Sequence, residues 1–352
     1  MKNSRILKLN DELTEKEEQI VNKILSEYDI KPVKISKARS AYKIQTSNSY
    51  ICLKRMRHGK EKPRNGSILV DNLYSVGFNN TPQYIKTIHG ALFVKYHGWF
   101  FYATEWIDGE ECSLSDFNEA INCIKLLAHF HNCAKKIDTK NLRIRNNLKN
   151  WSKIFKDGIN DLEKYKRIMS QKKIRNQFDE LYEKNMDIFY NRCQLALAYL
   201  NNSQYYRLSR EAVNHKTICH DSFYYQNIIK KGGQYYIIDL DSIIIDLQIT
   251  DLGKLIRRLM FKKEYNWDFS KAKLLIEAYC SINKLSKNEL EVMLALIIYP
   301  HKFWKLGRKR YIKHKNWSES KYMHKLKKLI DYDEKQQTFI EEYVKYIDIY
   351  NA

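Results

Sequence analysis

The stretch 218–242 combines His, Asp, Ser and Asn side chains with a tight turn and a second, carboxylate-bearing run. Two short apolar runs flank Gly232 and Gly233, which is typical of a β-hairpin. A hairpin holds its strands about 5 Å apart, so Asn227 and Asp239, at its open end, are predicted to lie close together. An amide oxygen and a carboxylate suit Mg²⁺, which also takes water and phosphate oxygens. These residues therefore predict a site at which oxygen ligands hold Mg²⁺.

The same side chains also have structural interpretations, which the sequence leaves open. Asn227 fits a turn-forming asparagine. Asp239 follows Ile237 and Ile238 at the end of an apolar run, where an unpaired charge is costly, so a metal ion or a hydrogen-bonding partner is expected there. His220 is expected to hold the loop by hydrogen bonds to the backbone rather than to carry protons.

The residues that precede residue 109 predict a small β-rich region. Thr14 and Glu17 have the spacing of a capping box at the start of a helix. Alternating apolar runs separated by polar or glycine-containing turns indicate antiparallel strands. The predicted elements are a helix over 14–27, a hairpin of 41–46 with 50–56, a helix over 66–76, and a hairpin of 91–96 with 99–106.

Beyond Gly109 the helical period dominates. An apolar stripe from Phe117 to Phe130 follows the N-cap candidates Ser115 and Asp116, and residues 251 to the end are again helical in pattern. The change of period predicts an α+β fold of two lobes. A small β-rich N-terminal lobe spans 1–108, and a larger helical lobe spans 109–352 and contains the loop 218–242.

The chain is strongly basic, with 62 Lys and Arg against 41 Asp and Glu and a formal charge of +21. Residues 301–317 contain no acid, and their interleaved aromatics make Lys305, Arg308, Lys309 and Arg310 candidates for polyanion binding. The simpler interpretation is a solvated basic helix face. Recognition of an anionic substrate or docking to an acidic protein layer is the alternative, whereas a nucleic-acid partner is not expected.

Other features point to a reduced, non-membrane setting. The 7 cysteines include no C-x-x-C pair, which speaks against structural zinc and a disulfide framework. Residues 1–10 have no apolar core for a signal peptide, and no stretch approaches the roughly 20 apolar residues that a membrane span needs. The sequence therefore predicts a cytoplasmic protein without a membrane span.

The loop from His220 to Asn227 resembles that of the aminoglycoside and choline kinase-like families, which reads His-x-Asp, four residues, then Asn, with a metal-binding Asp downstream. Tyr50-Ile-Cys-Leu-Lys54 resembles the strand that carries their nucleotide-binding lysine. This resemblance implies a bilobal protein-kinase-like fold, with Asn227 and Asp239 as ligands of Mg²⁺ and ATP as cofactor.

The same resemblance assigns roles to residues outside the loop. Lys54, together with Glu105 and Ile107 at the lobe junction, is expected to bind the nucleotide. Asp251, in Asp251-Leu-Gly-Lys-Leu-Ile-Arg, resembles the start of the family's Asp-Leu-Ala helix, where it either caps the helix or braces the catalytic loop.

Four further patterns resemble the CotS family of bacterial spore coat proteins. They are Gly77-Phe, Trp106-Ile-Asp-Gly109, Ile238-Asp-Leu-Asp241 and Tyr299-Pro-His-Lys-Phe-Trp304. This resemblance implies synthesis in the mother-cell cytoplasm, a place in the spore coat, and coat proteins as partners.

The chain departs from the kinase-like pattern at the catalytic position, which holds Ser222, while Asp221 lies one place early. A serine hydroxyl is not a base near neutral pH, and neighbouring side chains of an extended loop point in opposite directions. The turn 37–40 has no glycine, and residues 62–70 offer no acid to pair with Lys54.

Two functions follow from these observations. The first is a spore coat protein that keeps a kinase fold and Mg-ATP binding but has degraded catalysis. The alternative is an active ATP-dependent kinase that phosphorylates a hydroxyl group of a small-molecule acceptor.

Overall fold

The computed structural model describes residues 13–215 and 217–350, and the predictions for residues 1–10 lie outside these ranges. The described chain forms two compact units. The first holds the described residues up to Asn146 together with Ile218–Ile245, and the second holds Asn147–Thr217 and the described residues from Asp246 onward. These units are groups of contacting residues, and the lobe boundary at residues 108 and 109 stays a prediction.

An antiparallel sheet dominates the first unit, in the order β1-β2-β3-β6-β4, with β5 also paired to β6. His97 and Gly98, with φ of 45° and 77°, form the left-handed turn that the β5-β6 hairpin requires. Both predicted N-terminal hairpins are therefore confirmed. The strands are β1 (Lys34–Ala38), β2 (Ala41–Gln45), β3 (Tyr50–Met56), β4 (Tyr84–Ile85), β5 (Val94–Tyr96) and β6 (Trp99–Glu105).

The helices of the first unit are α1 (Glu15–Ser26), α2 (Glu61–Ser75) and α3 (Phe117–Ala134). The apolar face of α1 packs on the sheet in one core cluster, where Leu25 and Leu53 are fully buried. Thr14 caps α1 by accepting the N–H of Glu17 at 3.2 Å, as its spacing predicts. α2 begins earlier than residue 66, because Pro63 is tolerated in a first helical turn.

Two small sheets complete the first unit. One has the order β11-β10-β7, with β7 (Glu110–Glu111), β10 (Ile228–Lys231) and β11 (Gln234–Ile237). The other has the order β8-β12-β9, with β8 (Arg145–Asn146), β9 (Ile218–Cys219) and β12 (Ile244–Ile245). A Cβ at Gly109 would lie 2.3 Å from the carbonyl oxygen of Lys230, so only glycine allows β7 to approach β10.

The second unit is helical, and its central helix α10 is buried along most of its length. α10 contacts α6, α8 and α13. After α11 the chain continues as a short π-helix, Arg308–Ile312. No helix among residues 13–215 and 217–350 is long and apolar enough to cross a bilayer. The helices are α4 (Trp151–Ser170), α5 (Gln177–Lys184), α6 (Met186–Asn202), α7 (Tyr205–His215), α8 (Ile249–Met260), α9 (Phe269–Cys280), α10 (Lys287–Ile298), α11 (His301–Gly307), α12 (Glu319–Ile330) and α13 (Asp333–Ile349).

Candidate functional site

The hairpin of β10 and β11 has the predicted Gly-Gly turn, in which Gly232 and Gly233 both have positive φ. Ile228 pairs with Ile237, so Asn227 and Ile238 follow at the open end, and the N–H of Ile238 donates to the carbonyl of Asn227 at 3.0 Å. The register thus places Asn227 opposite the residue that precedes Asp239.

The backbone turns sharply at Asp239, which has φ 73° and ψ 39° and begins a 3₁₀ turn, Leu240–Ser242. A non-glycine residue in the left-handed region is uncommon and is often found at functional sites. The turn presents Asp239 and Asp241, two residues apart, toward the same lysine.

That lysine is Lys54, on the central strand β3 between β2 and β6. Its Nζ donates to Oδ1 of Asp239 and lies 4.0 Å from Oδ2 of Asp241. The side chains of Lys54 and Asp239 are 23% and 32% exposed, so the ion pair is partly shielded from water. Two carboxylates therefore meet one ammonium group within the first unit.

Asp241, in Ile238-Asp-Leu-Asp241, is a further site residue for which the sequence predicted no role. Its Oδ2 accepts the Tyr102 hydroxyl at 2.7 Å, and its Oδ1 accepts the Ser242 hydroxyl at 3.0 Å. Burial alone would raise the pKa of this carboxyl, but the charge of Lys54, the Tyr102 hydrogen bond and the charge of Lys62 together hold the pKa below its ordinary value. The sequence signal that could have identified Asp241 is the presence of a second aspartate two residues after Asp239.

His220 is fully buried and fastens the loop to the hairpin. Its Nδ1 accepts the N–H of Ser222 at 3.2 Å, which leaves the proton on Nε2 to donate to the carbonyl of Ile238 at 3.0 Å. The side chain thus makes the backbone hydrogen bonds expected of a loop-holding histidine. One of them is to Ile238, which immediately precedes Asp239, the ion-pair partner of Lys54.

Asn227 completes the loop from the other side. Its Nδ2 donates to the carbonyl of Ser222 at 3.0 Å. Within residues 13–215 and 217–350, its Oδ1 has no hydrogen-bond partner, so this oxygen is available to a ligand. The hydrogen bond to Ser222 is the loop-holding contact expected of a turn-forming asparagine, and the metal-binding role of Asn227 stays a prediction.

Asp221 and Ser222 make different contacts. Asp221 has a left-handed backbone, with φ 64°, and its carboxylate lies 3.6 Å from the guanidinium of Arg145 in β8. Ser222 is half-buried and is held through its backbone by His220 and Asn227. The Asp221 carboxylate thus lies beside an arginine, and the assignment of Ser222 to the base position stays a prediction.

The other predicted nucleotide contacts lie at the end of β6. Glu105 is exposed, and its carboxylate accepts the N–H of Gln83 at 3.0 Å, while Ile107 is half-buried two residues on. In the glycine-free turn, Arg39 has φ 57° and its guanidinium lies 2.5 Å from the carboxylate of Glu111.

The first turn of α2 contains an acid, Glu61, which immediately precedes residues 62–70, the segment in which no acid was found to pair with Lys54. It lies 3.5 Å from Arg64 and 3.9 Å from Arg143. The helix acid therefore pairs with arginines, and the hairpin carboxylates pair with Lys54.

The remaining predicted residues lie in the second unit. Asp251 is 2% exposed in the first turn of α8. Arg310 pairs with Glu319 at 2.5 Å, and the Arg308 guanidinium lies 5.4 Å from the Trp304 ring. Lys305 and Lys309 line a pocket with other lysines. The four basic residues predicted to act together thus divide into two environments.

The donor set around Lys54 fits a magnesium-bound nucleotide. Asp239, Asp241 and Asn227 offer hard oxygens, which Mg²⁺ prefers, and Lys54 offers a positive charge for phosphate oxygens. A bound Mg²⁺ would supply neutralisation of phosphate charge there.

Sequence comparison places the chain among spore coat proteins. A family model described as "Spore coat putative kinase YutH" matches residues 21–343. Spore coat protein S of Bacillus subtilis (strain 168) is 26% identical over 335 residues, which cover 93% of this chain and 95% of that protein.

Structure comparison gives the fold. An aminoglycoside phosphotransferase from Alicyclobacillus acidocaldarius is similar with a TM-score of 0.79 at 17% identity, covering 93% of this chain and 96% of its own. A spectinomycin phosphotransferase solved with ADP and spectinomycin gives 0.62 at 13% identity, covering 92% and 98%. An amicoumacin kinase solved with AMP-PNP and Ca²⁺ gives 0.64 at 12% identity, covering 91% and 93%.

These findings confirm two predictions, the α+β kinase-like fold and the resemblance to spore coat proteins. Because the family model spans residues 21–343, the chain belongs to the spore coat kinase-like family that this model describes.

Proposed function

We propose that this spore coat family member binds Mg-ATP through the Lys54 and Asp239 site and transfers phosphate slowly or not at all. The observation that carries the proposal is the arrangement at residues 220–222. Ser222 occupies the base position of a loop whose backbone is held by His220 and Asn227, while Asp221 faces Arg145.

The proposal that Mg-ATP binds rests on the positive charge of Lys54 and the two carboxylates beside it. Lys54 would hold phosphate oxygens, and Asp239, Asp241 and Asn227 would hold the metal. Two similar structures, the spectinomycin phosphotransferase and the amicoumacin kinase, were solved with ADP and with AMP-PNP and Ca²⁺. They support ATP with a divalent cation as the cofactor of this chain.

The catalytic half rests on what the loop lacks. General base catalysis needs a group that accepts the acceptor's proton near neutral pH, and a serine hydroxyl does not. Arg39, in a turn without glycine, is directed to Glu111, so the turn lacks both the flexibility and the open backbone of a phosphate-covering loop.

The spore coat is the proposed location, with coat proteins as partners, since the matched family and Spore coat protein S both carry that name. The kinase-like fold would then serve as a nucleotide-responsive structural element. Occupancy by Mg-ATP would stabilise the folded chain by mass action without turnover.

An active kinase is the second candidate, because the chain keeps Lys54, Asp239 and Asn227, whose side chains suit phosphate and metal binding. Such transfer depends mainly on positioning and charge neutralisation, so a weak base lowers the rate without abolishing it. A hydroxyl-bearing small molecule would be the acceptor.

Calorimetric titration of Mg-ATP, followed by turnover assays with a panel of amino-alcohol and aminocyclitol acceptors, tests the proposal. We expect saturable binding that requires Mg²⁺, with turnover far below about 1 s⁻¹, the lower end of ordinary enzymes. Absence of binding at millimolar nucleotide contradicts the first half, and turnover at about 1 s⁻¹ or faster contradicts the second.

A further inference from the structure

A pocket of about 360 Å³ lies within the second unit, between α11, the π-helix that follows it, and α12. Its polar lining is entirely basic. The charged and titratable side chains that line it are Lys302, Lys305, Lys309, His324, Lys325 and Lys328. Two of these lysines come from α11, one from the π-helix and two from α12, so the tertiary fold gathers charges from three segments.

No acid lines this pocket, and among residues 13–215 and 217–350 none of its five lysines forms a salt bridge. The neighbouring Arg310, by contrast, pairs with Glu319 at 2.5 Å. Loss of hydration and the charges of surrounding Lys and Arg side chains lower the pKa values of Lys302, Lys305 and Lys309. An anion in the pocket would offset both the lost hydration of these ammonium groups and the repulsion between them.

The pocket also has apolar walls. Phe261, Leu306 and Leu329 line it, and the Nζ of Lys302 lies 3.6 Å from the centre of the Phe261 ring. On the other side, the Nζ of Lys309 lies 4.4 Å from the centre of the Trp317 ring. Aromatic faces of this kind hold ammonium groups in place, and low-polarity walls strengthen their attraction for an anion.

We propose that this pocket binds a small ligand that carries at least two phosphate groups. Its volume falls in the range of small-molecule sites. Its charge comes from lysines, which act as point charges for phosphate, and no arginine fork lines it for planar carboxylates. The site is separate from the Lys54 hairpin, since every lining residue belongs to the second unit.

Titration of the full chain with sodium pyrophosphate in EDTA, at fixed low salt, tests the proposal. We expect one saturable site that binds pyrophosphate about tenfold or more tighter than orthophosphate, because a second phosphate adds contacts to further lysines. Lys54→Gln, which removes the cation that would hold phosphate at the nucleotide site, should leave this binding unchanged and so separates the pocket from that site.

The variant Lys305→Gln/Lys309→Gln/Lys325→Gln should weaken pyrophosphate binding by about tenfold or more. Lys153→Gln/Lys156→Gln/Lys164→Gln removes the same charge from exposed positions on α4 and should change the affinity less than about threefold. Melting curves of both variants establish that they fold.

Three outcomes would overturn the proposal. Equal weakening in the two triple variants would mean attraction to net charge alone. Loss of binding in Lys54→Gln would place the ligand at the hairpin. Binding of a ten-residue polyglutamate peptide but not of pyrophosphate would assign the surface to an acidic protein partner.

Discussion

The hairpin site and the basic pocket differ in whether acidic side chains neutralise their lysines. Lys54 meets two carboxylates, and the carboxylate of Asp241 has two further hydrogen-bond donors. The pocket gathers five lysines around apolar walls without an acid in its lining. At the hairpin site, carboxylates of the protein balance the positive charge of Lys54. In the pocket, the positive charges of the lysines are balanced only when an anion binds.

Ligands are expected to bind the two regions with different metal requirements. At the hairpin, a metal ion must compete with Lys54 for Asp239, so nucleotide and metal are expected to bind together. At the pocket, an anion removes repulsion between lysines and needs no metal. Metal dependence thus distinguishes the two regions.

The largest expected effect is stabilisation by Mg-ATP. At about 100 times its dissociation constant, a ligand that binds only the folded state adds about 2.7 kcal/mol to the free energy of unfolding. Asp239→Asn, which removes a metal ligand and keeps the side-chain size, should abolish the gain in melting or urea curves. An equal gain in Asp239→Asn would mean that nucleotide binds elsewhere.

A comparable or smaller effect is expected from Tyr102→Phe, which removes the hydroxyl bonded to Asp241. Hydrogen bonds to charged groups are worth about 1.5–3 kcal/mol, so the variant should lose about that much stability at pH 7. The matched control is Tyr84→Phe, since Tyr84 stacks on Tyr102 with centroids 5.6 Å apart and its hydroxyl has no hydrogen-bond partner among the described residues. A loss in Tyr84→Phe as large as in Tyr102→Phe would point to packing instead.

The same variant has a pH dependence whose sign follows from Asp241. The pKa of this carboxyl is lowered in the folded state, so its ionisation stabilises the fold above the unfolded value of about 3.9. That stability is lost as pH falls through the lower folded value. The difference in free energy of unfolding between wild type and Tyr102→Phe should therefore shrink as acid protonates Asp241, and a difference that persists after this protonation would exclude the charged hydrogen bond.

The smallest effect is a shift in the salt concentration that releases the protein from heparin. Lys305→Gln/Lys309→Gln/Lys325→Gln should elute earlier than wild type, because exposed charge attraction is screened by salt. Arg308→Gln/Lys309→Gln/Arg310→Gln should shift elution less, since Arg310 is already paired with Glu319. If neither variant changes the salt concentration of elution, the 301–317 segment is an ordinary solvated face.

The hairpin was predictable because its signals are local. The glycine pair fixes the turn, the turn fixes the register, and the register places Asn227 beside the residue before Asp239. The partner of Lys54 was not predictable, because a contact between β3 and a turn 185 residues later depends on packing that no local pattern encodes.

The basic pocket shows the same limit. Residues 301–317 were recognisable as a basic stretch, but Lys325 and Lys328 lie on the next helix, beside Lys302 and Lys305 only after folding. The sequence grouped Arg308 and Arg310 with the lysines, whereas the structure directs Arg310 to Glu319. Spacing along one segment could not separate the paired arginine from the lysines that converge.

The central claim is that Ser222 is the main limit on phosphoryl transfer at a site that keeps Lys54, Asn227 and Asp239. Steady-state ATP hydrolysis by wild type, Ser222→Asp and Asp221→Asn tests it most directly. General base catalysis is typically worth about 10²–10⁴-fold, and the Gly-free turn remains, so we expect Ser222→Asp to raise slow hydrolysis by about 10–100-fold. Asp221→Asn should have little effect, because Asp221 faces Arg145. Loss of turnover in Asp221→Asn, with no gain in Ser222→Asp, would identify Asp221 as the base and contradict the account.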